Sequence, residues 1–190
     1  MGKRVALELA AIRAALGALA HLPRHVYLSV NASPQTVVEA DLCALFREHG
    51  PERIVLELTE HAAVADYAEL GRALNLLRFA GVQIAIDDAG AGYSGLQHIV
   101  QLRPDILKLD MTLVRDIDTD PARRSLAAAL LHFASEMRAL IVAEGIETQG
   151  EYEALRQLGI DRGQGYFLGR PADLAAAQLL TEPEPLRLSG

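Results

Sequence analysis

Short apolar runs alternate with amphipathic stretches of helical length along this chain, and nearly every run closes on an acid, an amide or a lysine. The runs cover residues 26–31, 54–60, 82–88, 105–110, 140–147 and 163–166. The helical stretches cover 5–20, 34–49, 66–80, 92–102, 121–138, 148–158 and 172–180. Strands alternating with helices predict a parallel sheet covered by helices. In the closed version of that layout, active sites gather at the C-terminal ends of the strands. The polar residues at those ends here are Asn31, Glu57 with Glu60, Asp87 with Asp88, Lys108 with Asp110, Glu144 with Glu147, and Gln164. A ring of carboxylates with one amide and one lysine suits hard divalent metals.

Boundary chemistry supports the helices. Ser33-Pro34 and Asp120-Pro121 each set a capping side chain before a first-turn proline. Gly50, Gly81 and Gly159 follow apolar-periodic stretches, where a helix end accepts left-handed backbone. No internal linker interrupts the pattern, so residues 1–180 read as one domain and 181–190, with Pro183 and Pro185 among charges, as a loosely held tail. A closed barrel of this kind has eight strands and typically about 250 residues. Six strands are found in these 190 residues, which predicts an incomplete barrel or an open sheet.

Composition narrows the partners. A net charge of −7 without a basic stripe argues against duplex nucleic acid. Cys43 is the single cysteine and reads as a core residue, so disulfides within the chain and cysteine-rich zinc sites are excluded. No apolar run approaches the roughly 18 residues of a membrane span, and the first helix lacks a cleavage site, so a cytoplasmic location is expected. The six histidines are scattered without ligand spacing.

Taken singly, most of the polar strand ends have plain structural explanations. Asp87-Asp88 reads equally well as a strand-terminating turn, since neighbours on a strand point to opposite faces and serve one site only where the strand ends. Lys108 and Asp110 share a face two residues apart, as a salt-bridged edge strand would also have them. Glu57 is different, because a carboxylate inside Ile54-Val55-Leu56-Glu57-Leu58 is costly to bury unless paired or metal-bound. Six such positions in register point to one site.

In order and at these spacings, Val30-Asn31-Ala32-Ser33, Glu57-Leu58-Thr59-Glu60, Asp87-Asp88-Ala89-Gly90-Ala91-Gly92-Tyr93-Ser94, Lys108-Leu109-Asp110, Glu144-Gly145-Ile146-Glu147 and Gln164-Gly165-Tyr166 resemble the EAL domain. That family is the (β/α)8, TIM-barrel-like phosphodiesterase that opens the bacterial second messenger cyclic di-GMP. The resemblance runs from the first helix to about Leu180. It implies a Mg2+- or Mn2+-dependent hydrolase with two metals, yielding the linear dinucleotide pGpG. Asn31, Glu57 and Asp87 would hold the first metal, and Asp88 and Asp110 the second. Lys108 and Glu144 would position and activate the attacking water, supported by Glu147 and Gln164. Glu60 would brace the loop Asp88, Ala89, Gly90, Ala91, Gly92, Tyr93, Ser94 and Gly95, which links the site to a homodimer interface.

The departures carry expectations of their own. The family's Glu-Ala-Leu lies on an early strand, and this sequence starts at the helix that follows. About six of eight strands are then present and that metal-binding glutamate is absent, so weak or undetectable hydrolysis is expected of this chain alone. Glu153-Ala154-Leu155 spells the tripeptide inside a helix and is set aside as coincidence. Ala89, Ala91 and Gly95 replace the usual loop residues, which bears on coupling to the dimer. A non-catalytic cyclic di-GMP receptor or interaction module on the same scaffold is the alternative, and a sensory domain outside this chain is compatible with either.

Overall fold

The computed structural model describes residues 2–58, 64, 66–89 and 93–172, with the side chains of 88, 89 and 93–97 left aside. Glu60, Gly90, Ala91 and Gly92, the side chains of Asp88, Ala89, Tyr93, Ser94 and Gly95, and the tail 181–190 therefore lie outside the described residues. So does the helix expected over 172–180, apart from residue 172.

Five parallel strands form one sheet: β1 (Leu28–Ala32), β2 (Ile54–Leu58), β3 (Gln83–Ala89), β4 (Ile106–Leu109) and β5 (Leu140–Ala143). Their order in space is their order in the chain, so every crossover winds the same way round and the sheet curls toward a barrel. The helices are α1 (Lys3–Leu19), α2 (Pro34–Glu39), α3 (Leu42–Arg47), α4 (Tyr67–Ala80), α5 (Tyr93–Leu102), α6 (Met111–Val114), α7 (Pro121–Met137) and α8 (Gln149–Leu158). None of the described helices is long and apolar enough to cross a membrane.

Alternation along each strand separates two faces. Val30, Ile54, Leu56, Leu58, Ile84, Ile86, Leu107, Leu109 and Ile141 point outward and join one core with the helices. In α1, Val5, Leu9, Ile12, Leu16 and Leu19 recur at helical spacing on the buried face of that core. Each such side chain contributes about 2 kcal/mol by leaving water. The other face holds a small separate cluster of Val55, Ala85 and Ile106 with Val142 against it. This inner face gives the curled sheet its hollow.

The caps behave as expected. Ser33 accepts from the Thr36 N–H, and Asp120 from those of Ala122 and Arg123. Gly50, Gly81 and Gly159 have φ of 76°, 107° and 89°. The stretch 34–49 is two helices rather than one. Ala40 is extended (φ −108°, ψ 144°), and Asp41 starts a new cap by accepting from Ala44 N–H. Cys43 sits at the margin of the core rather than inside it.

The expected sixth strand at 163–166 reduces to a single parallel bridge, Ala143 to Gly163. The segment follows the backbone of Ile146 instead, with Ile146 N–H donating to Gln164 O (3.1 Å) and Phe167 N–H to Ile146 O (3.0 Å). At Gly165 a Cβ would run into the Ile146 backbone, so only glycine permits the approach.

Candidate active site

Strand β3 does not end at the paired acids. Ile86 pairs with Leu107 and Ala89 with Leu109, so Asp87 and Asp88 together oppose Lys108. This β-bulge, rather than the strand end expected from the sequence, sets two consecutive backbone positions opposite Lys108. Asn31 and Glu57 are direct register partners on β1 and β2 and share the inner face. Lys108 lies one inward step beyond Ile106, and its long stem carries the ammonium back across the sheet.

The ammonium of Lys108 stands among three carboxylates. It is 3.0 Å from Glu57 Oε2, 2.6 Å from Glu144 Oε1 and 3.4 Å from Asp87 Oδ1. Only 8% of the Lys108 side chain, 10% of Glu57 and 14% of Glu144 is exposed, so these charges have little water to turn to. Ser29 Oγ donates to Glu57 Oε1, and Gln164 Nε2 donates to Glu144 Oε1. Ser29 is the residue that sequence reasoning passed over. The signal was its place two residues before Asn31 on the same strand face.

Burial pulls the pKa of Lys108 down, but hydrogen bonds and charge from Glu144 and Glu57 outweigh it and hold the pKa above the ordinary value. Lys108 therefore stays a cation. Glu144 moves the other way, to about 7. Desolvation is the largest cause, the Lys108 contact opposes it, and the neighbouring Asp87 charge adds to it. A carboxyl poised near neutral pH is suited to taking and returning a proton.

Two further predicted residues have contacts of their own. Asp110 is not on the strand face: β4 ends at Leu109, and the Asp110 carboxylate caps α6 by accepting from Thr112 N–H (2.8 Å) and Thr112 Oγ1. Glu147 is exposed and pairs with Arg115 at 3.4 Å. Glu153, Ala154 and Leu155 lie in α8, away from the strand ends, as expected. Of the histidines, His98 is buried and meets the Tyr67 hydroxyl at 3.1 Å.

The hollow inside the curl has a volume of about 60 Å³ and is lined by Tyr27, Ser29, Val55, Glu57, Ala85, Ile106, Lys108, Val142 and Gln164. It is smaller than any nucleotide, so a nucleotide has to lie across the strand ends rather than within the hollow. Among the described residues, no three histidine, cysteine or acidic side chains converge into a metal cage; the carboxylates converge on the Lys108 ammonium. The donor set of Asn31 amide, Glu57 and Asp87 is nonetheless all hard oxygen, which fits a divalent cation such as Mg2+ or Mn2+.

Comparison with known proteins places this geometry. The family model described as the EAL domain matches residues 2–171. The chain is 33% identical over 176 residues to the cyclic di-GMP phosphodiesterase PdeF of Escherichia coli, covering 90% of this chain and 23% of that protein. It spans about a quarter of the length of the curated relatives it matches. The crystal structure of the EAL domain of Mycobacterium smegmatis DcpA superposes with a TM-score of 0.80 at 30% identity, over 88% of this chain and 80% of that one. A manganese and cyclic di-GMP complex of Klebsiella pneumoniae BlrP1 superposes with a TM-score of 0.81 at 29% identity, over 90% of this chain and 46% of that one. The incomplete barrel, the strand-end acids and these likenesses agree, and the chain belongs to the EAL domain family.

Proposed function

We propose that this chain forms the greater part of a phosphodiesterase domain that hydrolyses cyclic di-GMP to linear pGpG. The observation that carries the reading is the buried Lys108 ammonium among Glu57, Asp87 and Glu144 on the inner strand ends. Asn31, Glu57 and Asp87, with Asp88 and Asp110, would hold two divalent ions, Mg2+ or Mn2+. When bound, such ions polarise the phosphodiester and stabilise charge on the oxygens of the displacement. Manganese and cyclic di-GMP in the BlrP1 complex support a divalent metal and this ligand class.

The chain's own residues supply the rest. Lys108, kept protonated by its carboxylates, presents a fixed positive charge toward the phosphodiester. Glu144 accepts the proton of the attacking water, and Gln164 orients the Glu144 carboxylate through its amide N–H. Ser29 steadies Glu57 in the same way. We also take the chain to be homodimeric, because β1 has one strand neighbour among the described residues and Tyr27, Tyr166 and Leu168 are exposed. The Asp88–Gly95 loop braced by Glu60, support of the site by Glu147, a cytoplasmic location and a sensory domain elsewhere remain parts of the proposal.

The test is incubation of the purified chain with cyclic di-GMP and Mg2+ or Mn2+, followed by chromatography for pGpG. Product that Glu144→Gln abolishes is the expected result, since an amide cannot take the proton. Turnover that survives this substitution would show that the base is elsewhere. A receptor that binds without hydrolysis is the second reading, favoured by the engagement of Asp110 as the α6 cap. Saturable binding of cyclic di-GMP without any pGpG would select it.

A further inference from the structure

Glu151 is the most buried carboxylate among the described residues, at 4% exposure. It stands in the first turn of α8, at the end of the loop that carries Glu144. Its Oε2 accepts from Glu147 N–H (2.9 Å) and Thr148 N–H (3.0 Å), and its own N–H donates to the Thr148 hydroxyl (3.2 Å). That capping box accounts for one carboxylate oxygen. The other, Oε1, reaches the α6–α7 loop and accepts from Asp116 N–H at 3.1 Å. Helix capping does not call for this second bond. Desolvation pushes the Glu151 pKa up, but the N–H groups of Glu147, Asp116 and Thr148 outweigh it and hold it below the ordinary value, so both oxygens remain acceptors.

The two loops joined in this way leave the two strands that carry the shortest ion pair of the site, Lys108 Nζ to Glu144 Oε1 at 2.6 Å. Strand β4 leads through α6 to Asp116, and β5 leads through Glu144 and Gly145 to Glu151. The ladder of β5 stops at Ala143, and Glu144 keeps one backbone bond to β4, from its N–H to Leu109 O (3.1 Å). Gly145 then turns the chain through left-handed backbone (φ 68°), the most pliable kind of residue next to Glu144. The α6–α7 loop is a firm abutment by comparison. Val114 and Ile117 are fully buried, Thr119 and Asp120 N–H donate to Asp116 O (3.1 and 2.9 Å), and Arg124 Nη1 donates to Asp118 O (2.6 Å). Loop and helix lie close enough that a Cβ at Gly150 would strike the Asp118 carboxylate.

We propose that Glu151 is a positioning residue: by fastening the Glu144 loop to the α6–α7 loop, it holds the Glu144 carboxylate against the Lys108 ammonium. Its bearing on catalysis rests on the reading of Glu144 as the base, whereas its bearing on the Lys108–Glu144 contact does not. A misplacement of about 1 Å arising away from the reacting atoms can cost about 10²-fold in rate.

Glu151→Gln separates the two bonds, because an amide has one acceptor oxygen. With that oxygen on the two capping N–H groups, the amide NH2 faces Asp116 N–H and the tie is lost. Thr148→Ala is the converse, removing the cap hydroxyl and leaving the carboxylate in place. Amide hydrogen exchange by NMR in EDTA, with protection at Glu144 taken relative to Leu56 and Leu107 in the core strands, cancels a global loss of stability. Glu151→Gln should lower this ratio about tenfold, and Thr148→Ala should leave it within about twofold. The resonance of the Lys108 ammonium nitrogen should shift in the first variant and not in the second. In hydrolysis of cyclic di-GMP with Mn2+, Glu151→Gln should lower kcat about tenfold with KM within about twofold, and Thr148→Ala should change neither. The proposal is overturned if the exchange ratio or the Lys108 resonance is unchanged in Glu151→Gln, or if Thr148→Ala alters them equally, since Glu151 would then be a helix cap alone. Absence of wild-type turnover would count against hydrolysis, while the exchange ratio and the Lys108 resonance still decide the positioning.

Discussion

Replacing Lys108 by methionine keeps most of the volume of the stem and removes the ammonium from among Glu57, Asp87 and Glu144. Their side chains are 10%, 25% and 14% exposed, so water cannot fully take over its role. Removing one partner of a buried pair costs about 3–5 kcal/mol, because the other charge is left uncompensated. Glu144, already pushed to about 7, can relieve part of this by binding a proton. The lower end is therefore expected, about 3 kcal/mol at pH 8 in EDTA, or roughly 6–12 °C in Tm for a domain of this size.

The dependence on pH has a definite sign. Lys108 has a raised pKa, so its own charge is constant between pH 5 and 8 and is lost only at strongly alkaline pH, and any change within that window comes from its partners. In the variant, Glu144 loses the Lys108 contact that opposes the rise of its pKa. A carboxyl with a raised folded pKa favours folding below its unfolded value and loses that contribution as pH rises through the folded value. The deficit of Lys108→Met is thus largest at pH 8 and narrows toward pH 5. Divalent cation should stabilise the variant more than the wild type, since it returns positive charge to the same carboxylates. Urea unfolding followed by circular dichroism at both pH values is the assay. A deficit under about 1 kcal/mol at pH 8, or one equal at the two pH values, would refute the description of these carboxylates as dependent on a single buried cation.

Two further outcomes test the frame around the site. The Glu8 carboxylate is held down to about 2, where hydrogen bonds from Thr36 Oγ1, Ser33 N–H, Arg4 and Ser33 Oγ together outweigh its desolvation. It ties α1 to the end of β1, so Glu8→Gln should cost about 1–2 kcal/mol at pH 7. That difference should shrink as pH falls from about 4.5 toward 2, and a difference undiminished at pH 2.5 in acid-unfolding curves would mean the carboxylate charge is not what binds these donors. Light scattering at micromolar concentration should return the mass of a dimer, and a monomer with a cooperative thermal transition would show that the curled sheet is self-sufficient.

Periodicity and boundary chemistry were enough to read the alternating layout, because strand and helix spacing, Ser33 and Asp120 caps and the left-handed glycines are local properties of consecutive residues. The same local logic marked Asn31, Glu57, Asp87, Lys108, Glu144 and Gln164 as strand-end polar residues. What it could not show is which of them touch. The bulge opposite Lys108 depends on the pairing of β3 with β4, and a strand's own sequence does not record where its neighbour slips by one residue. The engagement of Asp110 with Thr112 and of Glu147 with Arg115 was likewise hidden, since an acid just past a strand serves equally well as a helix cap, a surface ion pair or a ligand. Gly163–Tyr166 has the composition of a strand, but its backbone found Ile146 first, so only one bridge remained. Ser29 became part of the site only when parallel pairing set β1 beside Glu57 on β2. Local propensity settles the elements, whereas contacts between residues far apart in sequence exist only once the strands have paired around the hollow.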